Sequence, residues 1–82
     1  MLNIFKKKDF KYNLSVSFDE NKKVMEDLFE NDKSTISKIS LLWAKEISDA
    51  NLHDAILLMK LSNELEPSFS KMKWIGFHLY DE

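Results

Sequence analysis

Phe10, Tyr12, Leu14, Val16 and Phe18 alternate with Lys11, Asn13, Ser15 and Ser17. Apolar residues at strict period two predict a half-buried strand over residues 10–18. Asp19-Glu20-Asn21 stops the alternation and supplies helix-capping chemistry. The period then changes. Val24, Met25, Leu28 and Phe29 form one stripe of a short helix, over about residues 20–31. Asn31-Asp32-Lys33-Ser34 is a polar break in which Asp32 or Ser34 caps the next helix. Ile36, Ile39, Trp43, Ile47 and Ala50 predict that second helix over about residues 35–49. Leu42 widens its apolar face, and Ser37, Lys38, Lys45, Glu46 and Ser48 fall elsewhere on it. Asn51 opens a third helix, with Asp54 three residues on as an approximate capping box. Leu52, Ala55, Ile56 and Met59 make one face of it; Leu58, Leu61 and Leu65 make another. A helix apolar on so much of its girth belongs at the centre of the domain, and Pro67 ends it.

Residues 69–80 fit two periods. Ile75, Phe77 and Leu79 alternate with Trp74, His78 and Tyr80, as in a strand; Phe69, Met72, Ile75 and Leu79 fit a helical stripe. The strand is preferred, because a lone strand at 10–18 would leave its backbone groups unpaired. The predicted fold is therefore α+β: a two-stranded sheet of N- and C-terminal strands covered by three helices, in the order β-α-α-α-β. The alternative is an all-α, helical-repeat-like bundle. Residues 1–9 read as a basic tail and residues 10–82 as one globular domain.

The run Ala50-Asn51-Leu52-His53-Asp54-Ala55-Ile56-Leu57-Leu58-Met59, followed by Glu64-Leu65-Glu66-Pro67-Ser68-Phe69, carries a partial likeness. Residues 36–69 resemble one tetratricopeptide-type helical hairpin, with Ala50, Ala55, Met59 and Pro67 at compatible spacings. Trp43 stands where that family uses a small residue, and Glu46 where it uses an aromatic. No second copy follows at the family's period, so the segment is read as a convergent hairpin. The resemblance implies peptide or protein binding, not catalysis.

Composition narrows the function classes. The chain has 82 residues, 44% of them hydrophobic and 32% charged, with a net charge of −2. That is enough for one small core and too apolar for disorder. With no Cys there is no disulfide, thiol redox chemistry or cysteinyl zinc site. One Gly and one Pro leave no Gly-rich phosphate loop. No apolar run approaches the roughly 20 residues of a membrane span. Ile4-Phe5 is followed at once by Lys6-Lys7-Lys8 and not by the apolar stretch of a secretory leader. All positive charge is lysine, so guanidinium forks for guanine or phosphate are missing. The Lys/Asn/Ser/Ile bias fits an AT-rich genome. Lys6, Lys7, Lys8 and Lys11 against Asp9 give a basic head of net +3 on a mildly acidic body.

Candidate chemistry is sparse. His53 and His78 do not form a metal-ligand spacing, and no metal or other cofactor is expected. Glu26, Asp27 and Glu30 read as the solvated face of the first helix. None of the serines stands in a nucleophile elbow, so no enzymatic activity is expected. Lysines interleaved with aromatics over Lys6, Lys7, Lys8 and Lys11 are candidates for phosphate or anionic-membrane contact. Trp74, Phe77 and Tyr80 are candidate interface anchors, since aromatics dominate binding hot spots. The expected function is a cytoplasmic, non-enzymatic protein-binding module of a bacterium or phage. It would be an accessory, immunity or inhibitor protein that masks a protein partner, with Trp74, Phe77, Tyr80, Glu26, Asp27 and Glu30 in contact. A free sheet edge would also invite a homodimer. The alternative is a nucleic-acid-associated regulator that uses the Lys6–Lys11 head.

Overall fold

A computed structural model describes residues 11–80, and for Tyr80 the backbone alone. These residues form four helices: α1 (Phe18–Leu28), α2 (Lys33–Ile47), α3 (Leu52–Leu65) and α4 (Phe69–Tyr80). Among the described residues there is no strand: they are all-α, and the predicted α+β sheet is not formed by them. The basic tail with Lys6, Lys7 and Lys8 lies outside the described residues, as does Phe10.

The strand predicted over 10–18 fails for a local reason. Its alternating residues are not used as one face: Tyr12 is buried, while Leu14 and Val16 are exposed. Its backbone is satisfied by side chains and not by a neighbouring strand. Asn13 N–H donates to Asn21 Oδ1 at 2.8 Å, and Asn21 Nδ2 returns a bond to the Asn13 carbonyl at 3.0 Å. Ser15 N–H donates to Asn13 Oδ1 at 2.9 Å, an Asx turn that bends the chain. Ser17 then caps α1 by accepting from Glu20 N–H at 3.2 Å. The helix thus begins before Asp19-Glu20-Asn21, and Asn21 is buried inside its first turns as a staple for the preceding loop.

α1 ends at Phe29. Glu30 and Asn31 adopt left-handed backbone, φ 52° and 59°, and Asn31 N–H reaches back to the Glu26 carbonyl at 2.9 Å. Asn tolerates that conformation; Glu carries the steric cost of its Cβ. After this turn α2 and α3 run antiparallel as a hairpin, at the residues where the tetratricopeptide likeness falls. Ile36, Trp43, Ala44 and Ile47 of α2 pack on Ala55, Leu58, Met59 and Leu61 of α3. Burial of large apolar side chains such as Trp43 or Leu58 stabilises by roughly 1.5–3 kcal/mol each. Asn51 caps α3 through Asp54 N–H at 3.0 Å. α3 lies between α2 and α4, as its two apolar faces require. Two α2 expectations are corrected. Leu42 points outward, and Ser37 is buried with Ser40, because Ser37 pairs with Ser62 across the hairpin.

The strand predicted over 69–80 is helix α4. Ser68 caps it, accepting from Lys71 N–H at 3.1 Å. With no strand at 10–18 to pair with, a helix is the conformation that satisfies this backbone from within. The side facing α3 is the stripe Lys71, Trp74, Ile75 and His78, spaced i, i+3, i+4, i+7. Trp74 and Ile75 pack against the core. Of the helical stripe legible in the sequence, Ile75 packs inward, whereas Phe69, Met72 and Leu79 are exposed. The sheet edge expected to support a homodimer therefore does not exist among the described residues.

Candidate functional site

Three places gather polar or aromatic side chains. The first joins the start of the described chain to α3. Tyr12 is buried edge-on against Trp43, with ring centroids 5.3 Å apart. Its hydroxyl donates to Asp54 Oδ2 at 2.6 Å, and His53 Nδ1 lies 3.3 Å from Asp54 Oδ1. Burial, then the Asp54 hydrogen bond, then the Asp54 charge push the Tyr12 phenol well above its ordinary range; a bond to Asn21 opposes them. Tyr12 is thus held as a donor and not as a base or nucleophile. The row Tyr12–Asp54–His53 ties the N-terminal loop to the first turn of α3.

The second lies at the other end of the hairpin. Ser62 Oγ donates to the Ser37 carbonyl at 2.7 Å, and the two hydroxyl oxygens are 3.0 Å apart. Lys71 Nζ donates to Ser37 Oγ at 3.1 Å, the Ser62 carbonyl at 3.3 Å and the Glu66 carbonyl at 2.6 Å. A lysine beside a serine pair is a known nucleophile arrangement in outline. Here the three acceptors occupy all three ammonium hydrogens, and two of them are carbonyls at the end of α3. Ser37 is buried and does not line the adjoining hollow. The group is a cationic cap on the α3 C-terminus, where the helix dipole favours positive charge.

The third is the outer side of α4. Phe69 is 72% exposed, Phe77 64%, Met72 51% and Leu79 49%. Lys73 lies over the Phe69 ring, 5.6 Å from its centroid. Trp74 is half-buried and stacks on His78 at 3.9 Å, and Phe77 meets His78 edge-on at 5.3 Å. A hollow of about 320 Å³ opens between α2, α3 and α4, with Leu41, Lys45, Lys71 and Trp74 in its wall. A shallower one beside it is lined by Ser70, Lys73, Trp74 and Phe77. Lysines line both and carboxylates neither.

The predicted contact residues are therefore divided between two elements. Trp74 and Phe77 stand on α4, Trp74 as a half-buried anchor and Phe77 as a protruding ring. Tyr80 closes α4, and its side chain lies outside the described set. Glu26 is half-buried on α1, Asp27 is exposed there, and Glu30 is exposed in the left-handed turn behind it. α4 packs chiefly on α3, so the acidic group is not continuous with the aromatic one. Lys11 is exposed, in the wall of a hollow of about 390 Å³ beside α1. Phe69, Met72 and Leu79 were not among the residues nominated for contact. The signal for them was the competing stripe 71/74/75/78 together with the Ser68 cap.

Among the described residues no three His, Asp or Glu side chains gather as a metal site, and no helix is long and apolar enough to cross a membrane. The chain matches no protein-family model, no curated protein and no solved structure, so its function has to be read from its own surface.

Proposed function

We propose that this chain is a non-enzymatic protein-binding module whose docking surface is the outer side of α4. The observation that carries the reading is the apolar character of α4 on both sides. Trp74 and Ile75 already supply the contact with the core, yet Phe69, Met72, Phe77 and Leu79 remain in water. A helix apolar all round is ordinarily buried all round. At half to three-quarters exposure, each of these side chains leaves roughly 1–2 kcal/mol of burial unused. Contiguous apolar surface of this kind marks interaction sites. Lys73 and the neighbouring Lys45 give the surface a basic rim, which favours a partner whose contact area carries carboxylates. The chain would act by covering part of that partner.

The test is photo-crosslinking in the native host, with the photoreactive residue placed at Phe77 in one strain and at exposed Asp49 in another. The expected result is a discrete protein adduct from position 77 and none from 49. Equal labelling from both positions, or adducts to nucleic acid alone, would contradict the reading.

A further inference from the structure

The hollow between α2, α3 and α4 is lined by charge of one sign. Lys45 and Lys71 stand in its wall, and the shallower hollow beside it adds Lys73. Ser70 and Trp74 belong to both, so the two adjoin as one groove along α4. The flanking carboxylates Glu46 and Glu66 are exposed and line neither hollow. Among the described residues neither Lys45 nor Lys73 is in an ion pair. Lys71 rests on the Ser37 hydroxyl and on the Ser62 and Glu66 carbonyls. Those acceptors are neutral, so its charge also stays uncompensated. The hollow beside α1 differs, since there Lys11 stands with Glu20.

The groove is apolar beneath its lysines. Leu41, Met59 and Trp74 line the deeper hollow, and Phe77 lines the shallower one. The deeper hollow measures about 320 Å³. A cavity of roughly 150 Å³ already accepts a benzene ring, so there is room for one large apolar side chain. This concavity separates the classes of occupant. A bilayer is a broad surface that would meet protruding Phe69 and Phe77 and leave the recess between the helices unfilled. Nucleic acid would find lysines without a guanidinium fork, set around an apolar recess. A protein segment can fill the recess with one side chain and carry carboxylates on either side of it.

We propose that the groove takes a linear protein segment in which one large apolar residue is flanked by Asp or Glu. The apolar side chain enters the hollow against Trp74, and the flanking carboxylates meet Lys45 and Lys73. This rests on the reading of α4 as a protein-docking surface and names the chemistry of its partner. The buried side chain supplies the anchor, and the lysines select the charge.

Display of random short peptides against the full chain, followed by NMR titration with a selected peptide, tests this. The expected result is enrichment of sequences in which Asp or Glu surrounds an apolar residue. Such a peptide should move the indole N–H resonance of Trp74 and leave that of buried Trp43 in place. Lys45→Glu together with Lys73→Glu should weaken its binding roughly tenfold or more, and selection on that variant should no longer enrich acidic residues. Both lysines are exposed, and a melting curve establishes that the variant is folded. Selected peptides without acidic bias, acidic peptides that leave Trp74 unmoved, or binding indifferent to the double reversal would each overturn the proposal. It would also be overturned if Trp74 moved with phosphatidylglycerol vesicles or oligothymidylate and with no selected peptide. Movement on dilution alone, again with no peptide response, would mark a second copy of the chain as the occupant and overturn it too. If crosslinking from Phe77 captures a protein while no acid-flanked peptide is selected, this inference falls and the docking surface stands. If both fail, both readings fall.

Discussion

Tyr12 shows how one side chain can replace an element. Its ring fills the edge of the core against Trp43, and its hydroxyl is the link from the N-terminal loop to α3. Tyr12→Phe keeps the ring and removes a hydrogen bond to a carboxylate, so it should cost about 1–3 kcal/mol in urea unfolding. The pH dependence has a definite sign. Burial and Asp54 raise the phenol above its value in the unfolded chain. Its contribution is therefore complete below the ordinary tyrosine range and is lost as the pH rises beyond about 10. The stability gap between the parent and Tyr12→Phe should hold steady to about pH 9 and narrow as the pH rises past about 10. A gap that stays constant would mean that the Tyr12–Asp54 bond does not carry the loop. Ser37 gives the same lesson about polar residues. In sequence it reads as surface, but it is buried because Ser62 and Lys71 meet its polar groups. Such pairing across 25 residues leaves no local periodicity to detect.

At the scale of elements, the hairpin was legible and the two flanks were not. The stripe Ile36, Trp43, Ile47, the Asn51 cap, the two apolar faces of α3 and the break at Pro67 all act locally, and local signals survive in sequence. The reading of residues 69–80 as strand followed from that of residues 10–18, because the first strand, read from its own alternation, needed a partner. Once the Asn13–Asn21 exchange satisfies the first segment, the second has no partner. Its aromatic residues divide between the two sides of a helix: Trp74 packs on the core, and Phe69 and Phe77 are exposed. Trp74 and Phe77 could be nominated as contact candidates from their type alone; Phe69, Met72 and Leu79 were not nominated, because their exposure emerges only when the competing stripe Lys71, Trp74, Ile75 and His78 is taken as the inner side. Gly76 provides a check on α4 itself. It lies mid-helix, and a Cβ added there meets nothing within 4 Å. Gly76→Ala should raise the free energy of unfolding by up to about 1 kcal/mol. A loss of stability would mean that the segment is not a free-standing helical turn at this point.

For the whole molecule, the order of packing decides which helix faces are covered and which meet water. α3 is covered by α2 on one side and α4 on the other, while α4 is covered on its inner side only. In stacked helical architectures each layer buries the apolar face of the one before it, and a terminal layer normally turns a polar face to water. α4 is terminal among the described residues and does not. The central claim is that Phe69 and Phe77 contribute little to the fold of one chain and belong to its docking surface. Urea unfolding of the double variant Phe69→Ser and Phe77→Ser, at protein concentrations low enough to hold the chain monomeric, tests this most directly. The account predicts an unfolding free energy within about 1 kcal/mol of the parent, as for exposed substitutions. A loss of about 3 kcal/mol or more, the size expected for emptying core positions, would place those rings inside the molecule and contradict it.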